Sequence, residues 1–569
     1  MSFKWVYATP ENENITETLQ NELGVPEAIA HLLAIRKIDS YNKAKYFFRG
    51  GINHLHDPFL MTDMKAAAAR VSAAIRGGEK ILIYGDYDVD GTTSTSILYL
   101  FFKKFGVEVS YYIPHRFNEG YGLNRRAVEY AVEQNIDLLI SVDCGITAVE
   151  EAAAARRNGL DLIICDHHNV GRQLPEAVAV LDPKRSDCSY PFSGLSGAGV
   201  AFKLTQAVTE ILGLSKNIPF EYLDLVAVST ASDIVPIVDE NRILMSEGLK
   251  RINEEPRTGL KALLDIIKME PGFIDTSNIV FSIGPRINAA GRMGDAEQAV
   301  QLLVAENRAE AKAHAHKLEA VNQKRRKADQ KATNEANNII SEDYNLDSAA
   351  AIILHQQSWH LGVVGIVASR LVDAYHRPAI LFSSVNGLLK GSARSIGGFN
   401  IYNAISECSD LLEEFGGHAF AAGLSLKPEK LEPFKNQLNE VISNNLSEED
   451  RTPKLQIDYP LDLGIINKRF WKLLKQFKPF GPENLKPVFT CKNVNVVGVP
   501  SIVGKGHLKM KLRQNGSGVF DCIGFNMHEY LPQVRNAGKD DMEIAFNLEE
   551  NHWNGRRTLQ LKLLDIQFK

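Results

Sequence analysis

Short apolar runs alternate with helical segments through the first half of the chain, and this alternation indicates the fold. Five runs have the length and composition of buried strands, at residues 81–84, 107–113, 137–142, 160–164 and 177–181. Helical segments separate several of them, at residues 92–105, 125–134 and 147–158. Short apolar strands that alternate with helices predict a parallel sheet covered by helices on both faces.

The pattern differs in the other parts of the chain. Residues 1–55 look helical and peripheral, and residues 196–270 look mostly helical. Pro and Gly are absent from residues 296–343, so one long helix is predicted there. The pattern over residues 349–445 predicts a second α/β segment that contains two Gly-rich turns. Residues 454–569 show short alternating runs with Gly and Asn turns, which predict a small β-barrel.

These changes indicate an α/β multidomain protein with five parts. A chain of 569 residues is too long for one hydrophobic core, which supports such a division. The expected parts are an N-terminal helical extension (1–55), a parallel-sheet domain (56–295), a long connecting helix (296–345), a second α/β domain (346–447) and a C-terminal barrel (454–569).

Charge is distributed unevenly along the chain. The formal net charge is −5, which alone does not suggest a nucleic-acid binder. Residues 454–569 carry 18 Lys and Arg against 11 Asp and Glu, a net +7, so the remainder carries −12. An acidic body beside a basic module fits a carboxylate-rich metal site next to a region that binds a polyanion. Chance asymmetry between domains is the alternative.

Cysteine spacing and hydropathy indicate the cellular setting. The six cysteines are scattered and form no Cys-x-x-Cys pair, so neither a disulfide framework nor a structural zinc site is expected. The N-terminal residues lack an apolar signal core, and no run of about 18 apolar residues occurs. We therefore expect a cytoplasmic protein that does not bind a membrane.

The strongest chemical signal is a set of acidic and histidine residues at the ends of three predicted strands. These residues are Asp86, Asp88 and Asp90 after the first strand, Asp143 after another, and Asp166, His167 and His168 after a third. Ligands of open α/β sheets bind beyond the carboxyl ends of the strands, so these side chains are expected to converge. Grouped carboxylates repel one another unless a cation neutralises them.

Mixed carboxylate and imidazole ligands suit Mn²⁺, with Mg²⁺, Co²⁺ or Zn²⁺ as alternatives. Two ions about 3.5–4 Å apart would activate one oxygen nucleophile and stabilise charge on a phosphate. A single Asp at a strand end is usually a turn or helix-cap residue, and three converging ends weaken that explanation. Asp233, which closes a helical segment, has no clear role on spacing alone.

The same residues resemble the motifs of the DHH phosphoesterase superfamily. Gly85-Asp-Tyr-Asp-Val-Asp-Gly91 resembles its first motif, Val142-Asp143-Cys-Gly145 its second, Asp166-His167-His168 the triplet that names it, and Ser232-Asp233 its fourth. The resemblance implies that the metal ligands are Asp86, Asp88, Asp90, Asp143, His167 and Asp233. It also implies that His168 touches the scissile phosphate, and it places Asp143 and Asp166 in the catalytic group. Val89 stands where Ala is more usual.

Further motifs resemble the RecJ branch of this superfamily. They include Ile113-Pro-His-Arg-Phe-Asn-Glu-Gly-Tyr-Gly-Leu-Asn124, Gly284-Pro-Arg-Ile-Asn-Ala-Ala-Gly-Arg292, Gly391-Ser-Ala-Arg394 and Gly416-Gly-His-Ala-Phe-Ala-Ala-Gly423. The resemblance implies a DHH domain, a DHH-associated (DHHA1) domain and a C-terminal barrel of the oligonucleotide-binding (OB) type. It also implies degradation of single-stranded DNA from the 5′ end, in repair and recombination, with release of nucleoside 5′-monophosphates.

Glycine-rich turns with a nearby arginine can form a phosphate cradle, although most such turns only reverse the chain. With the resemblance, a set of residues is expected to bind the DNA: Arg116, Arg286, Asn288, Arg292, Ser369, Arg370, Ser392, Arg394, Gly417 and His418. For each arginine a structural ion pair is the alternative. In the barrel, Lys509, Lys511 and Arg513 alternate and are expected to share a face. We expect aromatic side chains there, such as Phe489 and Phe525, to fill the core more often than to stack on bases.

The predicted function is therefore hydrolysis of single-stranded DNA with Mn²⁺ or Mg²⁺, with two ions expected. The resemblance alone implies single-strand-binding protein and a RecQ-type helicase as partners, and we expect a monomer. One alternative is a DHH phosphoesterase for small substrates such as oligoribonucleotides or cyclic dinucleotides. Another is a silent DNA-binding scaffold, which the intact acidic set argues against. A dinucleotide-dependent oxidoreductase is disfavoured because no Gly-x-Gly-x-x-Gly turn follows the first strand.

Overall fold

The computed structural model describes residues 3–344, 346, 349–447, 449–514, 516–538, 540–553 and 556–569. The side chains of residues 343, 552, 553 and 556 lie outside this description. The chain forms two compact units. The larger unit comprises Leu55–Val235 and Leu244–Thr452, and the smaller unit comprises Met1–His54, Pro236–Ile243 and Pro453–Lys569.

A five-stranded, wholly parallel sheet organises the first part of the larger unit. Its strands, in spatial order, are Val109–Tyr112, Ile81–Gly85, Leu138–Val142, Asp161–Cys165 and Ala179–Leu181. Alternate residues of one strand face different cores: Ile81 and Ile83 join one cluster, whereas Leu82 and Tyr84 join another. The predicted parallel sheet with two covered faces is confirmed, since runs buried on both sides are continuously apolar.

Helices cover both faces of this sheet and continue beyond it. They are Met64–Gly77, Val89–Lys103, Arg125–Glu133, Val149–Arg157, Gly197–Ile211, Leu223–Ser232, Asp239–Glu254, Thr258–Ile267, Thr276–Asn278, Gly284–Met293 and Glu297–Leu303. A π-helical turn, Ile279–Ile283, joins two of them. The expectation of a mostly helical stretch over residues 196–270 agrees with these bounds.

The long helix begins later than the sequence suggested. It spans Arg308–Asp343, and the separate helix Glu297–Leu303 precedes it. The Asn307 side chain caps the long helix by accepting a hydrogen bond from the Glu310 backbone N–H. The prediction of one continuous helix from residue 296 is therefore wrong, because a cap can start a new helix without any Pro or Gly.

A second, mixed sheet forms the last part of the larger unit. Its spatial order is Glu414–His418, Ala421–Leu426, Leu388–Arg394, Ala379–Val385 and Ile352–His355. The helices Leu361–Tyr375, Ile401–Ser406 and Leu431–Asn445 accompany it. The two Gly-rich segments expected to be turns are strands. Glycine serves close approach there, since a Cβ on Gly391 would lie 2.6 Å from the Phe382 ring.

The smaller unit contains a seven-stranded sheet. The spatial order is Tyr459–Pro460, Phe489–Val496, Met542–Trp553, Arg556–Phe568, Phe520–Gly524, His507–Arg513 and Ser501–Val503. Strand Phe489–Val496 also pairs with His507–Arg513, which closes five strands into a barrel. The helices Lys468–Lys475 and Leu531–Asn536 accompany the barrel. The predicted small barrel is confirmed.

The N-terminal residues are not peripheral. Strand Lys4–Tyr7 pairs in parallel with Lys454–Ile457, so the segment is not wholly helical. The helices Asn14–Leu23, Glu27–Ala34 and Tyr41–Arg49 follow it. Apolar residues of these helices are buried in one core with residues of the barrel. The prediction failed because the partner strand lies about 450 residues away in sequence.

Among the described residues, no helix combines the length and apolar character needed to cross a membrane.

Candidate active site

Adjacent strands of the parallel sheet bring the acidic residues together. Asp86 follows strand Ile81–Gly85, Asp143 follows Leu138–Val142, and Asp166 follows Asp161–Cys165. These strands are in register, since Gly85 pairs with Val142 and Val142 pairs with Cys165. The three carboxylates therefore lie at one sheet edge, as the sequence pattern predicts.

The first motif turns sharply into a helix, and its glycines permit that turn. The Asp88 carboxylate caps helix Val89–Lys103 by accepting a 3.0 Å hydrogen bond from the Gly91 N–H. A Cβ on Gly91 would lie 2.4 Å from the Asp86 carbonyl oxygen, and one on Gly85 would lie 2.0 Å from Thr95 Oγ1. Only glycine fits at both positions, so the motif holds Asp86 and Asp88 in fixed places.

The N-terminus of another helix holds the fully buried Asp90 carboxylate. Its oxygens accept hydrogen bonds from the Gly197 and Ala198 N–H groups at 2.6 and 2.8 Å. The Ser229 hydroxyl donates a third, at 2.7 Å. A helix N-terminus stabilises negative charge. Asp90 therefore joins the first motif to helix Gly197–Ile211 while it remains beside the other carboxylates.

His167 lies among three carboxylates contributed by different elements. Its Nε2 atom is 3.2 Å from Asp143, 3.4 Å from Asp90 and 3.6 Å from Asp233. Asp143 adopts a left-handed backbone conformation, with φ of 59°, which Asp tolerates better than most residues. Asp233 follows helix Leu223–Ser232. The sequence left Asp233 undecided on spacing, and the fold brings it to the cluster.

The cluster contains three groups of potential metal ligands. Within each group the ligand atoms lie within 4.8 Å of one another. The groups are Asp86 with Asp88 and Asp143, Asp90 with His167 and Asp233, and Asp143 with His167 and His168. Asp143 and His167 each belong to two of them, and the Asp143 carboxylate, which has two oxygens, is the one placed to bridge two ions.

The electrostatics of the cluster favour bound cations. Burial, followed by neighbouring carboxylates, raises the pKa of Asp86, Asp143 and Asp233 well above the usual value. Within the described residues, the buried Asp86 Oδ1 atom has no hydrogen-bond partner. Oxygen and imidazole donors at this spacing fit Mn²⁺ or Mg²⁺, since a divalent ion offsets both the repulsion and the unmet oxygen.

Asp166 orients its neighbours and differs electrostatically from the other carboxylates. One oxygen accepts a 2.9 Å hydrogen bond from the Ile146 N–H, and the other lies 2.7 Å from His168 Nδ1. Burial alone would raise the pKa of Asp166, but hydrogen bonding and charge from His168 lower it. Burial opposes protonation of His168, yet Asp166 raises the pKa of that histidine to about 9. The contact with Asp166 therefore favours the protonated form of His168.

Tyr121 is a site residue that the sequence analysis missed. Its hydroxyl lies 3.1 Å from His168 Nε2, and its side chain is 56% exposed. Burial of the hydroxyl and the nearby Asp143 and Asp166 raise the pKa of Tyr121, so it stays protonated. The only signal was its place inside the quoted motif that begins at Ile113.

Asp182 is a second residue that was missed, although the run before it, residues 177–181, was predicted as a strand. It follows Ala179–Leu181, the strand beside Asp161–Cys165, so a fourth strand end also delivers a carboxylate. Its Oδ1 atom accepts a 2.7 Å hydrogen bond from the Lys184 N–H. Burial raises the pKa of Asp182 to about 7.

A cavity of about 860 Å³ lies in the same unit, next to Tyr121. Six of the residues expected to bind DNA line it: Arg116, Arg292, Ser392, Arg394, Gly417 and His418. We call this cavity the arginine pocket. The three arginines and Lys390 line it together with one acidic residue, Glu414, so the pocket carries a net positive charge.

The arginines of this pocket repel one another. Burial, then Arg116 and Arg394, lowers the pKa of Arg292 to about 10. Burial and Arg116 also lower the pKa of Arg394, whose guanidinium donates a 2.8 Å hydrogen bond to the Ser392 hydroxyl. Arg116 lies over the Tyr87 ring at 5.0 Å. Cations held together without matching carboxylates favour an anionic ligand, and guanidinium groups match phosphate well.

Four of the expected DNA-binding residues do not line the arginine pocket. Arg286 pairs with Glu319 at 2.6 Å, and Arg370 pairs with Asp329 at 2.7 Å. The Ser369 hydroxyl donates to the Gly365 carbonyl at 3.1 Å. The remaining residue, Asn288, accepts a 3.1 Å hydrogen bond from the Val89 N–H. These side chains tie the walls of the site to the long helix and to the first motif.

Three known family descriptions match separate parts of the chain. They are the DHH family N-terminal domain at residues 80–230, the DHHA1 domain at residues 347–444 and the RecJ OB domain at residues 457–565.

Curated relatives match the chain over almost its whole length. The Bacillus subtilis single-stranded-DNA-specific exonuclease RecJ is 40% identical over 99% of this chain and 70% of its own. The protein of the same description from Salmonella typhimurium is 34% identical over 97% of both chains. The Escherichia coli protein is 33% identical over 97% of this chain and 98% of its own.

Solved structures of RecJ proteins are also similar to this chain. The crystal structure of Thermus thermophilus RecJ in complex with Mn²⁺ superposes with a TM-score of 0.84 and 29% identity. The match covers 100% of this chain and 80% of that one. A second structure, exonuclease RecJ bound to manganese, has a TM-score of 0.59 and 36% identity over 67% of this chain and 95% of its own. The predicted fold class is confirmed: a parallel-sheet DHH domain, a long helix, a DHHA1 domain and an OB-type barrel.

Proposed function

We propose that this chain, which belongs to the family of RecJ single-stranded-DNA-specific exonucleases, hydrolyses single-stranded DNA from an end with Mn²⁺ or Mg²⁺. The observation that carries this proposal is the acidic cluster and the arginine pocket within one compact unit. Family membership adds the 5′ to 3′ direction and the release of nucleoside 5′-monophosphates.

The proposed metal ligands are Asp86, Asp88, Asp90, Asp143, His167 and Asp233. Two of the groups, Asp86 with Asp88 and Asp143, and Asp90 with His167 and Asp233, use these ligands alone, which favours two ions over one. Asp143 also lies 3.2 Å from His167, so its carboxylate is placed to bridge them. Bound there, the ions would lower the pKa of a water molecule and stabilise charge on the scissile phosphate. The protein's own contribution is rigidity, because Asp90 and Asp88 are fixed by backbone N–H groups and Gly91 admits no side chain.

His168 is the proposed contact to the scissile phosphate. Its Nδ1 atom is hydrogen-bonded to Asp166. The other ring nitrogen, Nε2, lies 3.1 Å from the Tyr121 hydroxyl and is the one proposed to face the phosphate. A cationic imidazole donates to a phosphate oxygen and stabilises the charge that develops there. Asp166 acts through His168 by keeping it protonated and oriented, and the Tyr121 hydroxyl is a neighbouring donor.

The arginine pocket is the proposed anchor of the DNA end. Arg116, Arg292 and Arg394 supply charge and paired N–H donors for a terminal phosphate. Ser392, Gly417 and His418 complete its wall. Four other residues expected to bind DNA are proposed to act indirectly, by holding the structure around the site through backbone and helix contacts: Arg286, Asn288, Ser369 and Arg370.

The barrel of the smaller unit is a second proposed surface for single-stranded DNA. Lys509, Lys511 and Arg513 are exposed along one strand, where they alternate with the buried Leu508, Met510 and Leu512. Phe489 is buried in the core, as expected, whereas Phe525 is 51% exposed and lies 5.4 Å from the Lys562 ammonium. Basic side chains beside an exposed aromatic ring suit single-stranded nucleic acid.

A degradation assay tests the proposal. End-labelled single and double strands are incubated with Mn²⁺, Mg²⁺ or chelator, beside a dinucleotide and a cyclic dinucleotide. We expect metal-dependent release of mononucleotides from single strands. Preferential cleavage of the dinucleotides would favour the small-substrate alternative, and DNA binding without cleavage would favour the silent scaffold.

The finer biological setting belongs to this proposal as well. Single-strand-binding protein and a RecQ-type helicase are proposed partners on family grounds. A monomer acting in the cytoplasm, in DNA repair and recombination, is the proposed state.

A further inference from the structure

Two exposed apolar side chains lie on the elements around Asp233, and the proposed chemistry does not use them: Ile234 follows Asp233, and Phe281 lies on a turn that packs against the helix before it. Ile234, the residue after Asp233, is 71% exposed, and Phe281 is 77% exposed. Large apolar side chains gain nothing from such exposure. A pair of them next to a charged site indicates a surface kept for an apolar part of a ligand.

The backbone at Ile234 is strained. Its φ is 61°, in the left-handed region that β-branched residues avoid. Asn or Gly would adopt this conformation at lower cost. The side chain is too exposed for burial to repay the strain, and strain of this kind concentrates at functional sites.

Phe281 lies on an equally unusual element. It is the middle residue of the π-helical turn Ile279–Ile283, a geometry found mostly at functional sites. Ile279 and Ile283, which flank it on this turn, are fully buried, so the turn is anchored while Phe281 projects outward.

The π-helical turn packs against the helix that ends at Asp233. Gly284 follows the turn, and a Cβ there would lie 2.7 Å from the Ser232 hydroxyl. This close approach brings the turn to the residue just before Asp233. Ile234 and Phe281 therefore belong to one neighbourhood, which we call the apolar ledge.

The ledge adjoins the acidic cluster at Asp233, which precedes Ile234, and the arginine pocket adjoins it at Tyr121, the partner of His168. Tyr121 and its partner His168 adjoin the pocket, whereas Asp233 groups with Asp90 and His167. Neither Ile234 nor Phe281 is among the lining residues of the pocket. A strand anchored in the pocket and crossing the cluster would leave it past Asp233.

We propose that the apolar ledge of Ile234 and Phe281 is a nucleobase subsite, which holds the second nucleotide from the anchored end, just beyond the scissile phosphate. This proposal rests on the proposed function, because it assumes that the pocket receives the strand end. Phe281 stacks on the base, and Ile234 contacts its edge. Stacking is tolerant of sequence, which suits an enzyme that degrades any strand.

The test combines side-chain variants with strands that lack one base. Phe281→Ala removes the ring, Phe281→Trp keeps one, and Ile234→Asn removes the apolar group while relieving the backbone. Val178→Ala is the matched control, since Val178 is 40% exposed beside the amino end of strand Ala179–Leu181. Each protein is assayed on a normal strand and on one that is abasic at the second nucleotide.

We expect Phe281→Ala to lower kcat/KM on the normal strand roughly 5- to 150-fold, the range found for single stacking contacts. On the abasic strand Phe281→Ala should have the same kcat/KM as the wild type. Phe281→Trp should match the wild type on both strands. Ile234→Asn should lower kcat/KM without lowering the melting temperature, which a merely structural role would not explain. If Phe281→Ala loses kcat/KM equally on both strands, or on neither, the proposal that the apolar ledge binds a base is wrong.

Equilibrium binding in chelator separates the ledge from the proposed function. Wild-type protein should bind the normal strand more tightly than the abasic strand, and Phe281→Ala should bind both equally. Cleavage without this base preference would leave the exonuclease proposal standing and remove the ledge. Base preference without any cleavage in Mn²⁺ would keep the ledge and remove the exonuclease proposal.

Discussion

The Asp86→Asn substitution should change the stability of the protein in opposite directions with and without metal. Asp86 is 2% exposed, its Oδ1 atom lacks a partner among the described residues, and burial with Asp88 raises its pKa. The amide keeps the unmet oxygen but removes the buried negative charge and its repulsion with Asp88, and each unit by which the pKa of Asp86 is raised corresponds to about 1.4 kcal/mol. In chelator, the neutral amide should therefore stabilise the larger unit by an amount of that order.

Bound metal should reverse the order of stability of the wild type and Asp86→Asn. At a Mn²⁺ concentration one hundred times its dissociation constant, a single site adds about 2.7 kcal/mol to the stability of the folded protein. The wild type should gain this amount or more, whereas Asp86→Asn, which has lost a ligand oxygen, should gain less. The melting temperature of the variant should thus exceed that of the wild type in chelator and fall below it in Mn²⁺.

The assay is thermal unfolding of both proteins across a Mn²⁺ titration. Asp161→Asn is the matched control, since Asp161 begins strand Asp161–Cys165 at the opposite edge and pairs with Arg70. That control should lose stability equally with and without metal. A variant that is less stable than the wild type in chelator, or that gains as much from Mn²⁺, would refute the reasoning.

Four further predictions follow from the same geometry. Arg394→Met should reduce the preference for a strand with a 5′-phosphate over one with a 5′-hydroxyl, by about 1.5–3 kcal/mol in kcat/KM, because it removes a charged donor; an unchanged preference would exclude the arginine pocket as the anchor. Phe525→Ala should weaken binding of long strands by about 1–3 kcal/mol in anisotropy titrations and leave short ones unaffected. His168→Asn should lower kcat about 10²–10³-fold with Mn²⁺ binding by calorimetry retained, since it removes a donor to the developing charge. In chelator, the wild type should lose stability as pH rises above about 4, because the folded-state pKa values of Asp86, Asp143 and Asp233 are raised above the unfolded one; a flat profile in pH-dependent denaturation would contradict this.

Strand ends were the part of the site that could be read from sequence. The runs before Asp86, Asp143 and Asp166 are continuously apolar, and such runs are typical of parallel strands that are buried on both faces. Adjacent parallel strands then bring their carboxyl ends to one edge whatever the details of packing. Asp182 also follows a predicted strand, but a single Asp at a strand end is usually a turn or helix-cap residue, and Asp182 does accept a hydrogen bond from the Lys184 N–H.

Ion-pair partners could not be read from sequence. Glu319 and Asp329 lie on the long helix, 33 and 41 residues from the Arg286 and Arg370 that they bind. No local pattern distinguishes an arginine that meets such a carboxylate from one that faces an open pocket, such as Arg394. That distinction depends on tertiary packing.

Glycine proved ambiguous for a related reason. Gly417 lies in a strand with φ of 145°, where a Cβ would meet the Ala421 carbonyl oxygen at 2.4 Å. Gly391 lies in a strand over an aromatic ring. Sequence shows that a side chain is missing, but only the fold shows whether a turn or a close contact requires its absence.

The position of bound manganese tests the central claim most directly. Crystals of the wild-type protein grown with Mn²⁺ would be measured at the manganese absorption edge, and an anomalous difference map calculated. We expect two peaks, with Asp143 within coordination distance of both and His167 bound to at least one. Absence of peaks at this sheet edge, or peaks held by other residues, would contradict the account.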